Sequence, residues 1–306
     1  MKLTLPIIYW QIHLFSASFL LPSCFLSSFF FHHLTPHKNG TKKSFTGPDG
    51  RKISYSFDSG NRLASIAIPG AGEITYEHRK WNAPTKMSLP GGATFSATYD
   101  PLMRFKTLTG RDPSGNVEFS REYGLSPAGS VNSIVSEHGN YAYEYDKYRL
   151  TSAQNAAMAN EGYSYDQLNN RVSSYATGGG TWTYDKNNRL VSVDGMSFDW
   201  DDNGSMTRKS VAGVDLFFHY DVAERLVRVD DGQGTTLAQY FYDPFGRRLW
   251  KDVGGVRTYY FYANEGLLGE FDEAGGQIKA YGWAPDGVFG TDPLWLEEGG
   301  KFYWFR

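Results

Sequence analysis

The 306-residue chain has a single cysteine, Cys24, which excludes an internal disulfide framework and any cysteine-based zinc cluster. Compartment stays open, because large secreted β proteins also manage without disulfides. An excess of one charge is missing too. The 30 Lys and Arg residues are scattered and balanced by 33 Asp and Glu, so electrostatics favours neither nucleic acid nor a polybasic membrane patch as partner. Phosphate-binding glycine loops, a G-x-S-x-G elbow and paired metal histidines are also absent. Gly178-Gly179-Gly180 and Gly254-Gly255 sit between strand signals and read as turns, and the isolated His78, His138 and His219 read as structural. No catalytic residue, cofactor or metal ligand is singled out, although a β scaffold could bring two distant acids together.

Charge is also absent from Leu3 to Phe31, where Leu, Ile, Phe, Trp and Tyr dominate behind Lys2. This length suits a secretory signal or a retained membrane anchor. Leu21-Pro22-Ser23-Cys24 resembles a lipobox, although proline two residues before the cysteine departs from the usual choice. Translated non-coding sequence is the remaining reading. Residues 1–37 are therefore set apart as a signal-like or anchor segment, with a secreted or cell-surface location expected if it is genuine.

Aromatics supply 16% of the chain and glycine 34 residues, enough for a core with many turns. Their order is repetitive. An aromatic followed by an acid recurs at Phe57-Asp58, Tyr76-Glu77, Tyr99-Asp100, Tyr145-Asp146, Tyr165-Asp166, Tyr184-Asp185, Trp200-Asp201, Tyr220-Asp221 and Tyr242-Asp243, with Tyr123-Gly124 and Tyr262-Ala263 as degenerate slots. Eleven units of about twenty residues cover roughly 50 to 270, the mark of a repeat architecture. Each unit opens with a period-two run such as Gln239-Tyr240-Phe241-Tyr242, which predicts a half-buried strand. A cluster such as Asp243-Pro244-Phe245-Gly246 follows, suited to a tight turn. A second strand then opens with arginine and an aliphatic residue, as in Arg189-Leu190 and Arg225-Leu226. The aromatic-to-aliphatic step is six residues in Tyr184 to Leu190 and Tyr220 to Leu226. The arginine is expected to reach back to the turn aspartate, fixing the turn.

Asp199-Trp200-Asp201-Asp202-Asn203-Gly204 fits the start of a calcium loop, but Ser210 stands where the bidentate glutamate belongs, so a hairpin turn is expected. Stripes such as Tyr163/Tyr165, Trp182/Tyr184, Phe198/Trp200 and Tyr240/Tyr242 would fill one face of a sheet, or stack on a glycan.

The unit Y-D-x-x-G/N-R-L at this spacing resembles the YD repeat of the Rhs family, which includes wall-associated proteins, the C component of insecticidal toxin complexes and the teneurins. The resemblance covers about 45–295. It implies β-hairpins spiralling into a hollow shell around a C-terminal effector polypeptide. Relatives continue into a core terminus where acidic residues free a toxin; Asp292-Pro293-Leu294 is not that motif, so neither protease nor toxin carries over.

The expected fold is all-β: consecutive antiparallel hairpins in one curved sheet, a partial β-shell over 38–295, with 296–306 as the start of a core-closing segment. The repeat signature is assigned to Phe57, Tyr99, Asp100, Tyr145, Asp146, Tyr165, Asp166, Tyr184, Asp185, Arg189, Trp200, Asp201, Tyr220, Asp221, Arg225, Tyr242, Asp243 and Gly246. Both ends of the array are expected to be open, leaving aromatic inner surface wetted. The function expected from the resemblance is a non-enzymatic scaffold that shelters an effector or joins a neighbouring shell segment; a surface module holding glycan or protein and a gene fragment without function are the alternatives.

Overall fold

The computed structural model describes residues 33–37, 40–47, 49–78, 83–174, 182–285 and 290–305. The charge-free segment lies outside them. Among the described residues every regular element is a strand and every pairing is antiparallel between sequence neighbours. The first sheet holds β1 (His33–Pro36), β2 (Lys42–Thr46), β3 (Lys52–Phe57), β4 (Leu63–Ile68), β5 (Gly72–His78), β6 (Pro84–Ser88), β7 (Thr94–Tyr99), β8 (Phe105–Arg111), β9 (Val117–Leu125), β10 (Val131–Ser136), β11 (Gly139–Asp146), β12 (Arg149–Asn155), β13 (Glu161–Tyr165) and β14 (Arg171–Ser174). The second holds β15 (Thr183–Tyr184), β16 (Leu190–Val193), β17 (Met196–Trp200), β18 (Met206–Val211), β19 (Val214–Tyr220), β20 (Leu226–Asp231), β21 (Thr236–Tyr242), β22 (Arg248–Val253), β23 (Val256–Tyr262), β24 (Leu267–Phe271), β25 (Gln277–Trp283), β26 (Pro293–Glu298) and β27 (Lys301–Trp304).

The meander is thus divided into sheets of 14 and 13 strands rather than forming one ladder throughout. At the junction Trp182 N–H donates to the Val172 carbonyl at 3.3 Å, and Tyr184 donates its hydroxyl to the Arg171 carbonyl at 2.7 Å. Strand β26 runs through residues 295 and 296, where the sequence reading set a segment boundary.

Side chains directly opposite in a ladder share a face. Tyr55, Ile66 and Ile74 are opposite one another in turn, as are Tyr76, Met87 and Phe95. This face carries the repeat aromatics and is called the YD face. At the far end Gly269 opposes Ala280 and Gly282 opposes Trp295, on the back of the sheet, whereas Tyr260, Glu270 and Lys279 share the YD face.

One apolar cluster joins the two ends. Phe45, Ile53, Tyr55, Ile66, Ile68, Ile74, Leu89 and Phe95 from β2–β7 and the turns between them pack with Leu268, Ala280 and Trp295. Strands β2 and β23 are 21 positions apart, roughly 100 Å along the sheets at about 4.8 Å per strand. Contact across that span requires the meander to roll. Because the YD face of the first strands meets the back of the last ones, the roll closes as a scroll with overlapping layers. As expected, β1 and β27 end their sheets as edge strands and, among the described residues, no ladder closes the roll; what differs from the expectation is that the apolar face near one end is covered by the other end rather than wetted. Between the layers a tryptophan needs room: a Cβ on Gly282 would sit 1.9 Å from the Trp295 indole nitrogen, so only glycine fits there.

Candidate functional site

In an antiparallel meander, connections from odd to even strands gather on one rim, and those from even to odd strands on the other. The YD turns occupy the first rim. Their geometry follows from five residues, Asp-x-x-(Gly/Asn)-Arg. In Asp221 to Arg225, the Asp221 N–H donates to the Arg225 carbonyl at 3.0 Å and the Glu224 N–H to the Asp221 carbonyl at 2.9 Å. These bonds define a type I turn followed by a left-handed residue and a bulge. Glycine serves that fourth position at Gly246, where φ is +81°; Asn61, Met103, Asn169, Asn188 and Glu224 adopt it with side chains in place. The six-residue aromatic-to-aliphatic step is the ladder pair that closes this turn, as in Tyr184 opposite Leu190 and Tyr220 opposite Leu226.

The aspartate closes the loop from within. Asp185 Oδ1 accepts the N–H groups of Asn187 at 2.8 Å and Arg189 at 2.9 Å, and Oδ2 accepts Arg189 Nε–H at 2.7 Å. Asp100, Asp221 and Asp243 repeat the arrangement with Arg104, Arg225 and Arg247. Hydrogen bonds to the ionised form hold carboxyls down: the Arg225 guanidinium and backbone lower Asp221, and the Arg189 N–H and guanidinium lower Asp185. Asp166 uses Asn170 in place of arginine, at 2.9 Å from Nδ2. Asp201 accepts the Ser205 N–H at 2.8 Å, while Asp199 pairs across the strand with Arg208 at 3.2 Å. The calcium-loop fragment is therefore a hairpin turn. Asp146 precedes a shorter connection and pairs with Arg149.

Two further contacts join each hairpin to the next. The aromatic donates backwards to the carbonyl at the start of the preceding strand: Tyr99 to Pro84, Tyr145 to Val131, Tyr165 to Leu150, Trp200 to Leu190, Tyr220 to Met206 and Tyr242 to Leu226, all between 2.7 and 2.9 Å. The arginine donates forwards through Nη1 to the carbonyl of the next turn's aspartate, Arg189 to Asp201 at 2.5 Å and Arg225 to Asp243 at 2.8 Å. Arg225 also lies over the Tyr242 ring at 5.2 Å, and Arg149 over Tyr165 at 5.3 Å. Desolvation raises Tyr184 and Tyr220 above the ordinary tyrosine range. Phe57, lacking a hydroxyl, fills its slot by packing opposite Leu63 and edge-on to His37 at 6.0 Å.

Three sequence assignments shift. His78, not Tyr76, takes the aromatic slot of β5, bonding the Leu63 carbonyl through Nε2; Tyr76 is a core residue whose burial pushes its hydroxyl up to about 12. Leu125 and Ser126 occupy the slot assigned to Tyr123-Gly124, with Ser130 N–H donating to Ser126 Oγ at 3.1 Å. Arg171 stands opposite Tyr165, in the aliphatic slot, and lies over Tyr163 at 4.7 Å and Trp182 at 5.6 Å. Arg248 does the same over Tyr240 at 4.8 Å. Rings of these two stripes thus carry a guanidinium on one face, which leaves less room for a stacked sugar.

The seam between the layers is the second place where functional geometry concentrates, and periodicity gave no warning of it. Buried Lys42 pairs with Glu265, and Arg51 Nη1 lies 2.7 Å from Glu297 Oε2, an ion pair without hydrogen-bond alignment. The only sequence signal was the aliphatic density of Ile66, Ile68 and Ile74 in an array otherwise built on aromatics. Among the described residues no group of three His, Cys, Asp or Glu side chains is placed to hold a metal ion.

Residues 128–267 match the family model described as Teneurin YD-shell. Among curated proteins, the chain is 25% identical over 258 residues to the tRNA3(Ser)-specific nuclease WapA of Bacillus spizizenii, covering 68% of this chain and 11% of that protein. It is 27% identical over 220 residues to double-stranded DNA deaminase toxin A of Burkholderia cenocepacia, covering 65% and 15%. The chain therefore spans a small fraction of the length of these relatives. Among solved structures, the Photorhabdus luminescens Tc holotoxin pore aligns at TM-score 0.47 and 15% identity over 82% of this chain and 17% of that one. A TcdB2-TccC3 crystal structure aligns at 0.48 and 13% over 82% and 18%.

Proposed function

We propose that this chain, which matches the Teneurin YD-shell model over 128–267 and shares the repeat of the Rhs/YD family, is a non-enzymatic shell segment whose rolled sheet shelters a polypeptide effector in a secreted or surface-exposed toxin-type protein. The observation that supports this reading is the overlap: among the described residues, a meander of 27 strands packs the YD face of one end on the back of the other, which requires the sheets between them to roll. The signature residues then act as structure. Tyrosine, aspartate and arginine clasp consecutive hairpins and keep a long single layer in one curvature, and the relatives named as a nuclease and a deaminase toxin fit a cargo of that class.

A disordered reporter segment fused after Arg306 tests the reading. Limited proteolysis is expected to cleave it at least tenfold more slowly than the same segment fused to an unrelated β protein. Equal rates would remove the sheltering role.

A further inference from the structure

We infer that the overlap is a latch, the line along which the rolled sheet opens to admit or release a polypeptide; this rests on the sheltering role proposed above. Around the arc each strand is tied to its neighbour by a backbone ladder, and parting any pair exposes a row of unpaired N–H and C=O groups. At the junction, among the described residues, Trp182 just before β15 donates one backbone bond to β14, reinforced by the Tyr184 clasp. At the overlap, among the described residues, no ladder joins the layers, and apolar side chains pack between them. Opening there breaks no ladder.

The charged pairs make this line a latch and not a sliding contact. Aliphatic side chains on two layers tolerate a shift of one strand, because apolar burial is non-directional. A buried ion pair does not: the Lys42 ammonium, 3% exposed, would be pulled out of register with Glu265 while still desolvated. Arg51 adds a second fixed point at the layer edge, with its guanidinium 5.3 Å from the Phe302 ring centre and 5.9 Å from that of Trp295, beside Glu297. The two pairs connect β2 and the β2–β3 turn to the β23–β24 turn and β26. Closure therefore has one register, and opening lets both charged partners return to water together.

Thiol labelling in a Cys24→Ser background reads the opening directly, without cargo. Ala280→Cys places a thiol in the overlap, and Val193→Cys places one in the arc; both sites are buried. In otherwise unchanged protein at low denaturant, maleimide is expected to modify position 280 at least tenfold faster than position 193. Adding Lys42→Glu should accelerate position 280 a further tenfold and leave 193 unchanged, and combining it with Glu265→Lys should restore the slow rate. Equal labelling of the two sites in the parent protein, parallel acceleration of both in Lys42→Glu, or no rescue by the reversed pair would each overturn the latch. Should Lys42→Glu fail to fold, the parent comparison alone decides. Failure of the latch leaves the protease-shielding result untouched, and failure of shielding leaves the labelling result to stand as a property of the seam.

Discussion

The overlap and the arc are built from the same repeats, yet they are held together by different physics. In the overlap, Ile66, Ile68 and Ile74 are at most 2% exposed, as in the interior of an ordinary two-layer protein. In the arc the sheet is a single layer: a few side chains such as Val193 and Phe198 are buried, but Phe105, Val135 and Phe241 are each about half exposed. A single layer cannot bury its apolar face against a second one, so local bonds must do what a core does elsewhere. The rim clasps answer that need: where arginine is present, as at Asp185 and Asp221, a charge-assisted bond fixes the turn from within and the arginine bonds the carbonyl of the next turn, while the aromatic bonds back to the preceding strand. Stability in the arc accumulates by neighbours, as in other linear repeats; in the overlap it comes from burial.

The sharpest way to break this comparison is to remove the same side chain from both regions. Ile66→Ala, in the overlap, is expected to cost about 3 kcal/mol, the transfer and cavity penalty of a fully buried aliphatic side chain. Ile134→Ala, on the half-buried YD face of β10, should cost less than half as much. Urea titration of each variant gives the difference, and equal losses would show that the overlap is not a core.

A turn aspartate is the converse probe. Asp243 is 7% exposed and accepts three hydrogen bonds, from the Phe245 N–H at 2.9 Å, the Arg247 N–H at 2.9 Å and Arg247 Nε–H at 2.6 Å. Asp243→Ala strands those donors and frees the arginine, a loss of about 2 kcal/mol. Asp243→Asn keeps the Oδ1 bonds and sets an amide N–H₂ against the guanidinium, so it should recover only part of that loss. An alanine variant as stable as the parent in the same titration would mean that the clasp is incidental to the arc.

How legible the molecule was in its sequence follows the same division. The arc is written locally: Tyr184-Asp185 and Arg189-Leu190 lie within seven residues, and their turn is fixed by contacts inside that window. Register errors arose where a different side chain meets the same need, as with His78 and Ser126, because a ring nitrogen or a hydroxyl can make the bond that the motif assigns to tyrosine or aspartate. The backward bond of Tyr242 to the Leu226 carbonyl was invisible for another reason: it links two hairpins, and the repeat spacing says nothing about which neighbouring group a hydroxyl reaches. The seam was the least legible. Lys42 and Glu265 are 223 positions apart in the chain, and no periodicity connects them.

The smallest expected effect sharpens the account of the arc. Glu224 holds the left-handed position of its turn with φ of 58°, as Gly246 does in a later repeat with φ of 81°. An L-residue with a Cβ pays about 1 kcal/mol or more for that conformation, whereas glycine is free of the clash but loses more backbone entropy on folding. Glu224→Gly is therefore expected to raise stability by about 0.5 kcal/mol, since the steric gain exceeds the entropic loss and the Glu224 side chain is exposed. Asn61→Gly, at φ of 63° in the turn after β3, should change stability by less, because asparagine already tolerates this region. Thermal melts of the two variants beside the parent measure the contrast. A loss of stability in Glu224→Gly would mean that the glutamate contributes a contact to the rim beyond its backbone shape, and the turn would then have to be counted among the clasps.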